Sequence, residues 1–258
     1  MGSDNLSLAD MKALFQYFLQ RVLGFERYLY WFCRFKIHTL RWDKAERHIF
    51  PFLAHVPHEG LLLDVGANLG ILSVHMCRLH PKQQVLAFEP MQKNRTILQR
   101  IKHTYSLHNL SIFPLALGEV KGTLNMAMPT VRGVKKQGLS HVVSSEMPAG
   151  SEDEIERVPV DTLDDFLKSA FADVPVAAIK LDVENFESTV IKGAMVTLQR
   201  WRPWLVAELW DADNRNQVLK SLLPLGYTVF IFDGRSLIPW REGMPTLNLI
   251  FKPHSKTT

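Results

Sequence analysis

The chain has 258 residues, of which 47% are hydrophobic and 22% are charged, and its formal net charge is +4. These proportions are ordinary for a soluble globular protein, and the length fits one α/β domain with an accessory segment. The two cysteines, Cys33 and Cys77, are too few for a disulfide framework or a cysteine metal cluster, so we expect buried free thiols and a cytoplasmic setting. The mild positive charge permits an anionic partner without requiring one.

The first part of the chain, residues 1–58, is predicted to be a helical extension rich in aromatic and basic residues. Within residues 14–42 charged side chains recur too often for a membrane-spanning helix, which needs about 20 predominantly apolar residues in a row. Two interpretations stay open. The helices either pack on the following domain and cover its cleft, or they lie at the inner face of a membrane, bind anionic lipid and reach a lipid-linked acceptor.

Residues 59–258 are predicted to form the main domain, which starts with a strand, a glycine turn and a helix. The apolar run LLL ends at Asp64, and a turn with Gly66 and Gly70 leads into a segment that is apolar at helical spacing. The run VLAF predicts a second strand, which the dipeptide Glu89-Pro90 follows directly. This order predicts a nucleoside-cofactor site at the carboxyl ends of parallel strands.

The glycine spacing and the acidic lining favour S-adenosylmethionine (SAM) over a dinucleotide as the cofactor. The spacing is G-x-x-x-G, and Asn68 stands where a dinucleotide motif has its middle glycine. Two phosphates would be repelled by the acids expected there, which are Asp64, Glu89, Asp182 and Glu184. SAM is a cation overall, its carboxylate suits helix N-terminal N–H groups, and its ribose diol can bond to Glu89. The alternative is a plain βαβ unit, which leaves the acids unexplained.

Six short segments between residues 60 and 210 share their order and spacing with one enzyme family: DVGANLG, AFEP, LALG, VDTLDDFL, IKLDVENFESTVIKGA and PWLVAEL. Together they resemble the FkbM-type methyltransferases. The resemblance implies a Rossmann-like class I methyltransferase of the α/β class. Its sheet would be mostly parallel and seven-stranded, with an antiparallel C-terminal strand and helices on both faces. The resemblance also implies that Ala116 and Leu117 lie beside the adenine. Asn185 and Phe186 stand where the family has two small residues, so we expect an altered pocket wall.

A long loop-like stretch, residues 129–153, is predicted to act as a mobile lid over the substrate. Its basic residues, which include Arg132 and Lys135, suit an anionic group such as a phosphate or a sugar acid. Ser140 matches a serine of the family's substrate-side loop. A solvated loop without such a role is the alternative.

Methyl transfer to a hydroxyl requires a group that takes the hydroxyl proton. Asp182 is the first candidate because it ends the strand next to the cofactor strand, although it can instead orient the ammonium group or the substrate. His141 has the most suitable intrinsic pKa, about 6.5, and Glu208 is the third candidate. Glu184 is assigned to the methionine side of the cofactor.

A divalent metal ion is the alternative to a metal-free site. Asp182, Asp211 and Asp213 would supply oxygen ligands from two neighbouring strand ends, as magnesium requires. We favour the interpretation in which the segment WDADN caps a helix, because Asp or Asn before an apolar run is a common helix start.

The resemblance to the FkbM-type methyltransferases implies a SAM-dependent O-methyltransferase, and we expect it to act on a hydroxyl of a sugar, a glycolipid or a natural product. Two alternatives stay open, namely a methyltransferase for RNA or protein, and a SAM-binding or membrane-docking protein without catalysis. A nucleic-acid partner is not expected, because no known RNA-binding module is visible.

Overall fold

The structure, a computed structural model, describes residues 8–131, 134–135, 140–143, 148–151 and 153–254. The α-helices of these residues are α1 (Leu8–Leu23), α2 (Phe25–Thr39), α3 (Ile49–His55), α4 (Ile71–Leu79), α5 (Gln92–Thr104), α6 (Leu163–Ala170), α7 (Glu187–Lys192), α8 (Met195–Trp201) and α9 (Ala212–Leu222). The strands are β1 (Leu61–Val65), β2 (Val85–Phe88), β3 (Leu110–Phe113), β4 (Ala116–Leu117), β5 (Gly122–Met128), β6 (Thr130–Val131), β7 (Val134–Lys135), β8 (His141–Val142), β9 (Glu154–Asp161), β10 (Val176–Leu181), β11 (Trp204–Glu208), β12 (Tyr227–Phe232), β13 (Leu237–Pro239) and β14 (Asn248–Pro253).

The larger sheet of the described residues has eight strands in the order β13-β12-β14-β11-β10-β1-β2-β3. The five strands β11, β10, β1, β2 and β3 are parallel to one another. Strand β14 is antiparallel to both β11 and β12. The predicted fold class is confirmed, and each of the seven predicted strands is present. The additional strand, β13, pairs with β12 at the edge of the sheet.

Helices cover both faces of this sheet, because alternate residues of its central strands point to opposite sides. Leu62 belongs to a hydrophobic cluster that also contains residues of α2, α3, α4 and α5. Its neighbours Leu61 and Leu63 belong to a second cluster, with residues of α6, α7, α8 and α9. Every residue of β1 is buried, as the apolar run LLL predicts.

The aromatic N-terminal segment is helical, and α2 is part of the first cluster. Gly24 separates α1 from α2 with a φ of 77°, a left-handed value that glycine adopts without a Cβ clash. The inner side of α2 packs against α4 and α5 through Tyr28, Leu29, Tyr30, Cys33 and Ile37. None of the described helices combines the length and apolar character that a membrane crossing needs. A division of the chain near residue 58 stays a prediction.

A smaller sheet of the described residues follows β3 in the chain and has the order β4-β9-β5-β8. The sequence predicts only a hairpin near residues 124–128 and a strand over 155–160 in this region. The stretch predicted to be a loop contains the short strands β6, β7 and β8 among its described residues. The prediction of a loop over the whole stretch is therefore wrong, because β8 pairs with β5 through Met126 and Ala127.

Candidate functional site

Two cavities meet at the carboxyl ends of β1, β2 and β10. The first, which we call the Glu89 cleft, is lined by strand ends and turns that include Glu89 and Asp182. The second, which we call the Glu46 chamber, is lined by α2, by Glu46 and by the start of α4. Gly66, Asn68 and Asp182 line both cavities, so one elongated ligand can extend from the cleft into the chamber.

The turn after β1 brings backbone very close to the end of β10. Gly66 has a φ of 75°, and a Cβ atom there would lie 1.9 Å from the carbonyl oxygen of Asp182, so only glycine fits. Asn68 has a left-handed φ of 50°, which asparagine tolerates better than most residues. Its N–H donates to Glu89 Oε2 over 2.7 Å, so the turn is fixed to the end of β2.

Glu89 is a buried acceptor that faces this turn. It is 4% exposed and also accepts hydrogen bonds from the Met91 N–H at 2.9 Å and from Asn94 Nδ2 at 3.3 Å. Burial raises the pKa of Glu89 to about 7, and the hydrogen bonds from Met91, Asn68 and Asn94 oppose this rise. A carboxylate has four lone-pair positions, so it can accept further hydrogen bonds from a ligand in the cleft.

Lys180 joins the two strand ends from below the turn. Its Nζ donates to the carbonyl oxygen of Gly66 at 2.8 Å and lies 3.3 Å from Asp64 Oδ1 and 3.4 Å from Asp182 Oδ2. Burial alone would lower the pKa of Lys180, but Asp64 and Asp182 outweigh it and raise the pKa above its ordinary value. Lys180 was missed by the sequence reasoning, although a single lysine in the buried run VAAIKL is a visible signal.

Asp64 was assigned to cofactor binding, and the structure gives it a different place. Its side chain is fully buried, accepts a hydrogen bond from Ser73 Oγ at 2.5 Å and faces Lys180. It therefore holds the ammonium group beneath the turn. Gly70 also lies away from the cleft, because a Cβ there would be 2.1 Å from Leu98 Cδ1, and it is the N-cap residue of α4.

The end of β10 is a turn with two consecutive left-handed residues. Glu184 has a φ of 51° and Asn185 a φ of 70°, and Asn185 stands at one of the two positions where the resemblance implies a small residue. The carboxylate of Glu187 accepts from the Val183 N–H at 2.9 Å and closes the turn. Phe186 forms part of the wall of the Glu89 cleft, where a small residue was the family pattern.

Acidic side chains from three parts of the chain surround Asp182. Burial raises the pKa of Glu184 to about 8 and that of Glu208 to about 7, and the charge of Asp182 is the next cause for both. Burial and then Asp182 also raise the pKa of Glu46. A small cavity is lined by Glu46, His48, Asp182 and Glu208. The site thus holds carboxyl groups that change protonation near neutral pH.

Glu46 and His48 are contributions of the N-terminal segment that sequence reasoning missed. His48 is buried, its Nδ1 lies 2.9 Å from the carbonyl oxygen of Ala45, and burial lowers its pKa. Neither residue belongs to a recognisable motif. Only the folded chain brings them beside Asp182.

The remaining predicted binding residues fall into two groups. Pro90, Ala116, Leu117 and Ser140 line the Glu89 cleft. Lys135 lies in β7, and Arg132 lies outside the described residues.

His141 differs from its neighbours in the direction it faces. Ser140 and Val142 line the cleft, and alternate residues of a strand face opposite sides. His141 is buried. Its role as a base stays a prediction that this placement does not favour.

The acids of the segment WDADN begin α9. Asp211 accepts a hydrogen bond from the Asn214 N–H at 2.8 Å and caps the helix, as the favoured interpretation predicts. Asp213 is exposed in the first turn. Among the residues that the structure describes, no group of three or more His, Cys, Asp and Glu side chains is placed to bind a metal ion, so Asp182, Asp211 and Asp213 are not brought together.

Comparisons with known proteins identify the family. The family model described as the methyltransferase FkbM domain matches residues 64–228. Methyltransferase 1 of Beauveria bassiana (strain ARSEF 2860) is 25% identical in an alignment 186 residues long that covers 66% of this chain and 73% of that protein. Methyltransferase sdnD of Sordaria araneosa is 27% identical in an alignment 194 residues long that covers 66% of this chain and 74% of that protein.

A solved structure shares the fold. The crystal structure of methyltransferase FkbM from Methylobacillus flagellatus KT matches with a TM-score of 0.53 and 15% sequence identity. The match covers 95% of this chain and 60% of that one, so this chain spans less than two thirds of that protein's length. The family model covers more than half of the chain and includes the turn after β1, the ends of β1, β2 and β10, and the acids Asp64, Glu89, Asp182, Glu184 and Glu208, but not Glu46. The chain therefore belongs to the FkbM family of methyltransferases.

Proposed function

We propose that the chain transfers the methyl group of SAM to a hydroxyl of a small-molecule, sugar or lipid-linked acceptor. The observation that carries this proposal is the acceptor-rich lining of the Glu89 cleft. Besides the buried carboxylate of Glu89, the side-chain oxygens Asn68 Oδ1 and Asn94 Oδ1 are buried there without a hydrogen-bond partner. Buried acceptors of this kind require donors from a ligand or from water.

SAM fits this lining by hydrogen bonding and by charge. An adenine amine, a ribose diol and an ammonium group would supply the donors that the side-chain oxygens of Asn68 and Asn94 lack, and a further donor to Glu89. A pyrophosphate would bring acceptors and negative charge towards carboxylates, which is unfavourable on both counts. In this proposal Glu89 binds the ribose hydroxyls, and Ala116 and Leu117 contact the adenine.

The second part of the proposal concerns the acidic end of the site. SAM, when bound, supplies a methyl group that is activated by a positively charged sulfur. Asp182 lies where the cleft and the chamber meet, and Glu184 lines the cleft. In this proposal the two carboxyl groups favour a cationic centre near that junction. The partial burial of these groups strengthens the attraction, because charges interact more strongly away from bulk water.

In this proposal Glu208, rather than Asp182, accepts the proton of the acceptor hydroxyl. The carboxylate of Asp182 lies 3.4 Å from Lys180 Nζ, so it is already engaged in an ion pair. Glu208 has a pKa of about 7, which suits a group that must accept a proton near neutral pH. Glu208 and Asp182 line the same small cavity.

Two measurements test the function. Calorimetric titration with SAM and with S-adenosylhomocysteine tests the cofactor, and the absence of both heat and a thermal shift would refute the site. Transfer of a labelled methyl group to a panel of alcohols, with the matching amines as the control panel, tests the acceptor. Labelling of amines alone would exclude O-methylation. Binding without labelling of any acceptor would favour the non-catalytic alternative.

A further inference from the structure

The outer side of α2 carries exposed aromatic side chains beside arginines. Trp31 is 56% exposed and Phe35 is 64% exposed. Their positions recur at helical spacing with those of two arginines and a histidine. We call this set the α2 outer stripe, and it consists of Arg27, Trp31, Arg34, Phe35 and His38.

Exposed apolar side chains are concentrated in this part of the chain. Of the fifteen large hydrophobic side chains that are exposed in the described residues, seven lie between residues 17 and 42. Trp42, just after α2, is 77% exposed, and α1 contributes Phe18 and Val22 at 60% and 63%. Single exposed apolar residues are ordinary, but a concentration of them marks an interaction surface.

The charge of the segment indicates the chemistry of the partner. Residues 14–42 contain five Lys and Arg residues and one acid, Glu26. The guanidinium of Arg34 lies 5.0 Å from the centre of the Trp31 ring, and that of Arg41 lies 4.6 Å from the centre of the Phe50 ring. Aromatic and basic side chains together suit the interface of an anionic bilayer. A second copy of the chain would instead bring like charges together.

The same helix also lines the Glu46 chamber. Phe32 and Lys36 face the chamber, and each follows an aromatic residue of the α2 outer stripe in the sequence. Consecutive residues of a helix are about 100° apart around its axis. The chamber therefore lies beside the surface that carries the stripe.

We propose that the α2 outer stripe seats the chain on an anionic membrane surface. Acceptors that enter the Glu46 chamber are then hydroxyl groups of amphiphilic molecules held in that membrane. This second statement rests on the proposed function, whereas the seating does not, so the two can fail separately.

Sedimentation of the full chain with lipid vesicles tests the seating. Vesicles of phosphatidylcholine with a minor fraction of phosphatidylglycerol should bind the chain at low salt, and pure phosphatidylcholine vesicles should bind it much less. The double variant Trp31→Ser/Phe35→Ser should lower the partition coefficient by at least about tenfold, because it removes apolar area that inserts at the interface. Arg27→Gln should lower it about fivefold, since one basic residue near an anionic surface contributes about 1 kcal/mol.

The matched control replaces equally exposed apolar residues elsewhere. Val120 and Val196 are 71% and 64% exposed, and Val196 lies on α8, on the opposite face of the sheet from α2. The double variant Val120→Ser/Val196→Ser should bind vesicles as the parent chain does. No binding of the parent chain to anionic vesicles, or an equal loss in the control variant, would overturn the proposal.

Two further readouts separate the remaining outcomes. If sedimentation velocity without lipid shows a dimer that the stripe variant dissociates, the stripe binds a second copy and the proposal is wrong. The stripe variant should bind S-adenosylhomocysteine like the parent chain, because its replaced side chains point away from the cavities. Vesicle binding by a parent chain that does not bind S-adenosylhomocysteine would leave the seating intact and refute the proposed function.

Discussion

Replacing Lys180 by methionine tests whether this buried ammonium group holds the site together. Its side chain is 7% exposed and lies between the fully buried Asp64 and the partly exposed Asp182. Methionine keeps the length of the side chain but leaves Asp64 without its countercharge. Removing one partner of a buried ion pair costs about 3–5 kcal/mol, and we expect the free energy of unfolding to fall by an amount in this range.

A second variant identifies the cause of that loss. Asp64→Asn/Lys180→Met removes both buried charges, and replacing a whole buried pair by neutral groups is far less costly than breaking it. The double variant should therefore be more stable than Lys180→Met alone. Such a gain is the non-additivity expected of two groups in direct contact.

The stability difference between the parent chain and Lys180→Met also has a defined pH dependence. The pKa of Lys180 is raised in the folded state. Its contribution is fully present below the unfolded pKa of about 10.4 and is lost as the pH rises through the raised folded pKa. The difference should therefore be constant around neutral pH and shrink only in strongly alkaline solution.

Urea unfolding followed by tryptophan fluorescence measures these free energies. Lys192→Met is the matched control, because Lys192 is 46% exposed and lies 3.6 Å from the exposed Glu119. An exposed pair of this kind contributes no more than about 1 kcal/mol. A loss for Lys180→Met that is no larger than the loss for Lys192→Met would refute the role assigned to Lys180.

Three further predictions concern the proposed base, the cofactor site and the helix cap. Glu208→Gln should lower turnover about 100-fold or more and leave the affinity for S-adenosylhomocysteine unchanged. The rise of turnover as the pH passes about 7 should also disappear. If the variant keeps that pH profile, Glu208 is not the base. Glu89→Gln should weaken S-adenosylhomocysteine binding about tenfold or more. The effect should appear chiefly above pH 7, where the parent carboxylate is charged. Equal affinities of the variant and the parent chain above pH 7 would contradict the role of Glu89 in cofactor binding. Asp211→Ala should lower the free energy of unfolding by about 1 kcal/mol, because it removes the cap of α9. Asp213→Ala removes no cap, so a comparable loss of stability in that variant would contradict the explanation.

Much of the main sheet could be predicted because its information is local. The run LLL is buried on both sides, and its hydrophobicity alone indicates a central parallel strand. The turn after it needs glycine at Gly66, where backbone approaches Asp182, and this requirement is visible as a motif. Strand ends that carry acids are similarly visible, which is why Glu89, Asp182 and Glu184 could be named from the sequence.

Other features depend on contacts between distant residues and leave no local pattern. Asp64 and Glu89 both follow apolar runs, yet one lies beneath the turn with Lys180 and the other faces the cleft. Only the pairing of β1 with β10, which sets Asp64 opposite Lys180, distinguishes them. Glu46 has no motif at all, and its place follows from the path of the chain between α2 and α3.

The gathering of acids around Asp182 is costly for the fold and is best explained by the ligand. Glu46, Glu184 and Glu208 come from three separate segments, and Asp182 raises the pKa of each after burial has done so. Like charges held together in a partly buried site oppose folding, so these carboxyl groups do not stabilise the fold. Under the proposed function they serve both halves of the reaction, because a cationic sulfur is attracted to carboxylates and a hydroxyl proton needs a base whose pKa is near 7. A site for a neutral or anionic ligand would have neither need.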